Sequence, residues 1–215
     1  MAITKRFQNL DVKKQQRILN AALKEFAEND YEQASTNRIV QNAGIGKGML
    51  FYYFKNKKEL YHYLIDYSCD IIIHEYLDRI NPDESDFIER MKQIVRIKMK
   101  CYAENPEVFH FTGTFALMDE PDLPPSLQKR YEELLHLGYS KMYANIDTSL
   151  FRDDVPVEKT IQIIRWFMEG YENDLKDRLK DQKLTSVNFD PYWEEFFQYM
   201  NILKTIFYKR EGDEM

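Results

Sequence analysis

Cysteine is nearly absent from this chain. Its two cysteines, Cys69 and Cys101, stand in no CxxC or Cys/His spacing. That excludes a disulfide scaffold and a zinc finger, and it fits a reducing compartment. Glycine and proline are also scarce, at seven each in 215 residues, which suits a mostly helical chain. No stretch reaches 18 apolar residues, so no membrane span is expected. The opening "MAITKRFQNLDVKKQQRIL" has no apolar core of a signal peptide, and the expected location is cytoplasmic. The four histidines, His62, His74, His110 and His136, are widely scattered. "HEYLD" at His74 has no second histidine four residues on, so it is not a metalloprotease motif. No acid/base pair or cofactor motif is visible. The expectation is no enzyme, no metal and no cofactor.

Charge is unevenly spread. The net charge is -6, but residues 1–66 carry 11 Lys/Arg against 7 Asp/Glu. The remainder carries 19 against 29. A basic head on an acidic body can bring only its head to a polyanion.

Apolar residues recur at helical spacing almost throughout. The pattern predicts nine helices and no strand. The first four run over about Val12–Glu28, Ser35 or Thr36 to Ala43 (either residue a good N-cap), Gly46–Phe54 and Lys57–Ile80. The next cover about Ser85–Asn105, a shorter segment in "EVFHFTGTFALMD" weakened by Gly113, and Ser126–Ile146. The last two are Val157–Leu179 and Tyr192–Lys209. "EPDLPP" reads as a loop, and the polar tail "REGDEM" is expected to fray. The fold class is all-α: an N-terminal three-helix head over 1–56 and a larger helical domain over 57–215, linked by the fourth helix.

One stretch carries most of the signal: "GIGKGMLFYYFKNKKEL", Gly44 to Leu60. Gly44 is placed to stop a helix with positive φ. The segment Thr36–Phe54 then has the size of a helix-turn-helix. On the second of these helices, Leu50 and Phe54 share the inward face. Gly48 and Tyr52 take the opposite face, flanked by Met49, Phe51 and Tyr53. Lys47 precedes the run, and Lys55, Lys57 and Lys58 follow it. Pattern alone leaves open a core segment, a DNA-reading helix and a protein contact. A phosphate loop does not fit: no GK[ST] is present and no strand precedes it.

"STNRIVQNAGIGKGMLFYYFKNKKELYHYLI", with "RILNAALKEFAENDYEQAS" before it, resembles the DNA-binding segment of the TetR family of transcriptional regulators. The likeness covers roughly residues 12 to 65. It implies that the Gly46–Phe54 helix is the recognition helix. By position, Thr36 would cap the helix before it and meet the DNA backbone, with Asn37 beside it. Lys47, Gly48 and Met49 would face the groove, and Phe51, Tyr52 and Tyr53 would line the approach. Lys57 would meet a phosphate. The chain departs from the family's pattern at three of these places. Phe51 stands where Tyr is usual and lacks its hydroxyl. Met49 replaces a common Thr, and Gly46 a frequent capping Ser.

The resemblance also implies a homodimer formed through the last two long helices, with Ile164, Phe167, Phe196, Phe197, Met200, Leu203 and Phe207 at the interface. It implies a cavity for a small-molecule effector. Candidate lining residues are Met99, Tyr102, Phe109, His110, Phe115, Tyr139, Tyr143 and Trp166. No cluster of Arg or Lys marks an acidic ligand, and Lys98 and Lys100 read as solvated. The expected partners are a double-stranded DNA operator, a second copy of the chain and an apolar or amphipathic effector. The expected function is a ligand-responsive repressor. An activator, or a regulator controlled by a protein partner, would share these features. A helical enzyme or a purely structural protein is the reading from another class.

Overall fold

The computed structural model describes residues 5–117 and 123–210. Among these there are ten α-helices. The expected end of the "EVFHFTGTFALMD" helix, the start of the "EPDLPP" loop and most of the polar tail lie outside the described residues.

The helix absent from the sequence reading is α1 (Lys5–Gln8). It is one turn long, yet it docks Phe7 fully into the head. The Phe7 ring lies 4.7 Å from Phe54, 5.7 Å from Tyr63 and 5.8 Å from Tyr53, centroid to centroid. A single turn cannot hold itself; the buried ring supplies what propensity does not.

α2 (Val12–Gln33) begins at an Asp11 cap, whose carboxylate accepts from the Lys13 and Lys14 amides at 3.0 and 3.3 Å. It buries Ile18, Leu19, Ala22, Leu23 and Phe26. Asp30, at φ 52°, kinks its end, at the turn expected after Glu28. Next come α3 (Thr36–Ala43) and α4 (Lys47–Phe54). Gly44 joins them at φ 60°, ψ 43°, the left-handed conformation that favours glycine. The cap of α3 is Ser35, not Thr36: the Ser35 hydroxyl accepts from the Arg38 amide. Extended backbone at residue 35 (φ -111°, ψ 118°) puts that oxygen over the first turn.

α5 (Lys57–Ile71) starts at an Asn56 cap. Its continuation differs from the uniform helix expected to Ile80. Residues Ile72–Tyr76 wind as a π-turn and Leu77–Arg79 as a 3-10 turn. The Cys101 thiol donates to the Glu75 carbonyl at 2.6 Å within this irregular segment.

The larger part comprises α6 (Phe87–Glu104), α7 (Pro106–Ala116), α8 (Pro125–Tyr143), α9 (Val157–Leu179) and α10 (Asp190–Phe207). Three polar ties fix their ends. Asp86 caps α6 and also accepts from the Tyr208 hydroxyl at 2.9 Å and Lys204 at 3.3 Å. Buried Arg90 donates to the carbonyls of Glu84 and Ala144. Arg130 of α8 reaches Asp66 and Asp70 of α5.

The head and the larger part share one apolar cluster. α7 lies along α2: Phe111 meets Phe26 and Tyr61, and the Thr114 hydroxyl donates to the Ala27 carbonyl at 3.4 Å. Gly113 has a packing reason here. A Cβ at this position would stand 2.7 Å from Leu184 Cδ1, so the glycine seats the buried Leu184.

Candidate nucleic-acid interface

The helix-turn-helix is held from behind by a buried carboxylate. Glu25 is 3% exposed. It accepts from the Ser35 amide at 2.8 Å and from Arg38 Nε at 2.8 Å. Arg38 also donates to the Gln33 carbonyl at 3.0 Å. The hydrogen bond to Glu25 raises the Arg38 pKa. One side chain of α2 thus sets the entry of α3, and α3 sets α4 through the Gly44 turn.

α4 divides as its periodicity requires. Leu50 and Phe54 are buried. Lys47, Gly48, Met49 and Tyr52 are exposed, and Phe51 is half-buried. No side chain caps the N-terminus at Gly46, which leaves the Lys47 and Gly48 amides uncapped, while the Met49 amide donates to the Gly46 carbonyl at 2.9 Å. Such an end favours anions. A Cβ built on Gly48 would meet nothing within 4 Å among the described residues. Packing does not demand glycine there.

Three expected residues take places other than a free DNA-facing surface. Tyr53 is only 2% exposed. It packs on Phe7, because α1 folds over that side of α4. It therefore supports the surface instead of lining it. Thr36 is half-buried one residue inside the helix start, and Asn37 beside it is exposed. Lys57 is half-buried, lies 4.9 Å over the Tyr31 ring and donates to the Glu32 carbonyl at 3.2 Å. Its ammonium is tied to the end of α2.

The sequence reading missed Arg6. Its guanidinium sits 4.4 Å over the exposed Tyr52 ring, which brings a second cation beside α4. An N-terminal arginine next to a charged head was visible in the sequence, but the fold of α1 that places it was not.

The expected pocket set separates. Met99, Tyr102, Phe109, His110 and Tyr143 are half-buried, and Phe115 is buried against Tyr131. The Tyr102 hydroxyl meets His110 Nε2 at 2.7 Å. Desolvation lowers the His110 pKa. Tyr139 and Trp166 stand outside this group, at 48% and 63% exposed. A separate depression of about 360 Å³ between the π-turn and α8, lined by Ile73, Arg130, Leu134 and Leu137 among others, contains none of the expected residues.

The expected interface set is also partly turned inward. Ile164, Phe196, Met200 and Leu203 are buried within the chain, and Phe167, Phe197 and Phe207 are half-buried. The exposed apolar residues are their sequence neighbours: Ile163, Trp166, Ile202 and Ile206. Adjacent helical residues diverge by about 100°. A broad apolar face therefore gives one stripe to the core and the next to the outside.

No group of three His, Cys, Asp or Glu among the described residues could hold a metal ion. No described helix is long and apolar enough to cross a membrane.

Residues 18–64 match the family model described as bacterial regulatory proteins, tetR family. The chain is 32% identical over 105 residues to the fatty acid metabolism regulator protein of Bacillus subtilis (strain 168), covering 49% of this chain and 45% of that one. It is 43% identical over 61 residues to an HTH-type transcriptional regulator of Staphylococcus aureus (strain USA300), covering 28% and 33%. The chain thus spans less than half the length of either curated relative. Among solved structures, it is similar to a TetR family transcriptional regulator from Chloroflexus aurantiacus J-10-FL. That match has a TM-score of 0.60 and 24% identity over 96% of this chain and 99% of that one. A TetR-like regulator from Rhodococcus sp. RHA1 gives a TM-score of 0.59 and 15% identity, over 91% and 96%. The head thus carries the sequence signature of the tetR family over residues 18–64, and the chain shares the all-α fold of solved TetR-family regulators.

Proposed function

We propose that this protein is a ligand-responsive repressor that binds a near-palindromic DNA operator as a dimer. The observation that carries the DNA reading is the outward face of α4. Lys47, Gly48, Met49 and Tyr52 stand exposed on a helix whose other face is locked into the head. Lys47 and Arg6 supply phosphate contacts, and the bare backbone at Gly48 allows close approach. Met49 supplies apolar contact to a thymine methyl, where a polar residue is common in the family.

The dimer reading rests on six exposed apolar residues at helical spacing: Leu135 and Tyr139 on α8, Ile163 and Trp166 on α9, Ile202 and Ile206 on α10. An exposed apolar patch of this kind marks an interaction surface. A second copy related by a two-fold axis would present two recognition helices to successive turns of the major groove.

The effector reading rests on the half-buried Met99, Tyr102, Phe109 and His110, a largely apolar group with polar handles. The Bacillus subtilis relative is named for fatty acid metabolism, which favours an effector with an aliphatic body. α7 offers the route to the head. His110 faces Tyr102 of α6, while Phe111 and Thr114 of the same helix touch α2. An effector that favours one placement of α7 shifts α2, and with it the spacing of the two heads.

The test is a band shift on operator DNA with Lys47→Ala and Tyr52→Ala, alongside circular dichroism. Both variants should keep the helical spectrum and bind at least about tenfold more weakly, a loss of about 1.4 kcal/mol. Parent-like binding by both would remove α4 as the reader.

A further inference from the structure

α6 buries Phe87, Met91, Ile94, Val95 and Cys101 along one stripe. Lys98 falls inside that stripe, four residues after Ile94 and three before Cys101. A lysine in core register is costly unless a partner or a hollow receives its charge. Its ammonium lies 5.9 Å from the Trp193 ring centre, and no described carboxylate lies within 4.0 Å of it. Glu172 of α9 is the carboxylate whose field reaches it. That carboxylate is already bridged to Lys176 at 2.7 Å. The unneutralised charge is therefore positive.

Its register faces the body of the domain, and its exposure there points to a hollow. Lys98 is exposed, yet desolvation by the surrounding protein lowers its pKa. Both hold when an ammonium faces a hollow walled by protein instead of open solvent. From Lys98 an aromatic wall leads away. Trp193 lies 6.1 Å from Phe189, Phe189 lies 5.4 Å from Tyr102, and Tyr102 lies 6.2 Å from Phe109. All four rings are half-buried.

We propose that Lys98 anchors the carboxylate of an amphipathic effector whose apolar body lies along the wall of Trp193, Phe189, Tyr102 and Phe109. This rests on the effector reading above and names its class: a monocarboxylate with a long apolar body. A single ammonium in apolar surroundings matches a single negative charge, which the ligand brings and the chain does not. The apparent lack of any cation for an acidic ligand was a reading of clusters. One lysine in core register is enough.

The full chain is titrated with dodecanoate and with dodecan-1-ol, following tryptophan fluorescence, as parent, Lys98→Met and Lys98→Arg. The parent should bind the carboxylate at least about tenfold more tightly than the alcohol. Lys98→Met should erase that preference by weakening dodecanoate alone, and Lys98→Arg should keep it. Unliganded Lys98→Met should also melt at a higher temperature than the parent, because a desolvated charge has gone. If the parent binds both probes and Lys98→Met binds dodecanoate as tightly as the parent, the anchor is refuted and the effector reading stands. If Lys98→Met loses both probes and melts lower, Lys98 is structural and the anchor is refuted. If the parent binds neither probe, the anchor and the aliphatic effector fall together.

Discussion

Gly48 is where helix stability and surface access make opposite demands. An exposed glycine in a helix costs up to about 1 kcal/mol relative to alanine. The chain has open space where a Cβ would go. Gly48→Ala should therefore leave thermal stability equal or slightly raised, while operator affinity in a band shift falls, because the added methyl stands between backbone and DNA. Phe7 makes the converse case. It is fully buried under α4, so Phe7→Ala should cost about 3 kcal/mol in denaturant unfolding of the head. At this scale the sequence was readable wherever a periodicity existed. Leu50 and Phe54 turned inward as their spacing required. Phe7 and Tyr53 were not legible, because a one-turn helix has no period to read and its docking is a tertiary fact.

At the scale of elements, the long helices were visible because they are amphipathic and most begin at Pro, Asn or Asp, and the short α3 and α4 because Gly44 and the lysine-rich break mark their ends. What escaped was how neighbouring residues on one broad face are shared out. Ile163 and Ile164, or Ile202 and Leu203, look alike in sequence and differ only in which side meets the core. The π-turn after Ile71 was also invisible, since its residues keep a helical pattern. Two elements carry predictions. Gly113→Ala should destabilise by about 1–3 kcal/mol through overpacking against Leu184. Adding Leu184→Ala should remove that penalty, as read in a double-mutant cycle. Asp86 ties α6 to the end of α10. Desolvation pushes its pKa up, but hydrogen bonds from the Glu89 amide, Tyr208 and Lys204 outweigh it and hold it below the ordinary value. A depressed carboxylate stabilises the fold above its unfolded pKa of about 3.9 and loses that contribution as pH falls through the folded value. Thermal melts of Asp86→Asn should therefore show a flatter acid limb than the parent.

The whole molecule joins a basic head to an acidic body through one shared core. α2 and α7 are in direct contact, so the head is not a freely tethered module. The proposed dimer depends on the exposed stripe of α8, α9 and α10. Trp166→Asp with Ile206→Asp should convert the dimer to a monomer in light scattering with the helical spectrum kept. Operator affinity should fall with it. The central claim is sequence-specific DNA recognition through the outer face of α4. It is tested most directly by selecting bound sequences from a random double-stranded pool, with the parent and with the Lys47→Ala, Tyr52→Ala double variant. The parent should enrich a near-palindrome of two half-sites about one helical turn apart, or a multiple of it, and the variant should lose that enrichment. No enriched sequence with the parent, or the same palindrome enriched equally by the variant, would contradict it.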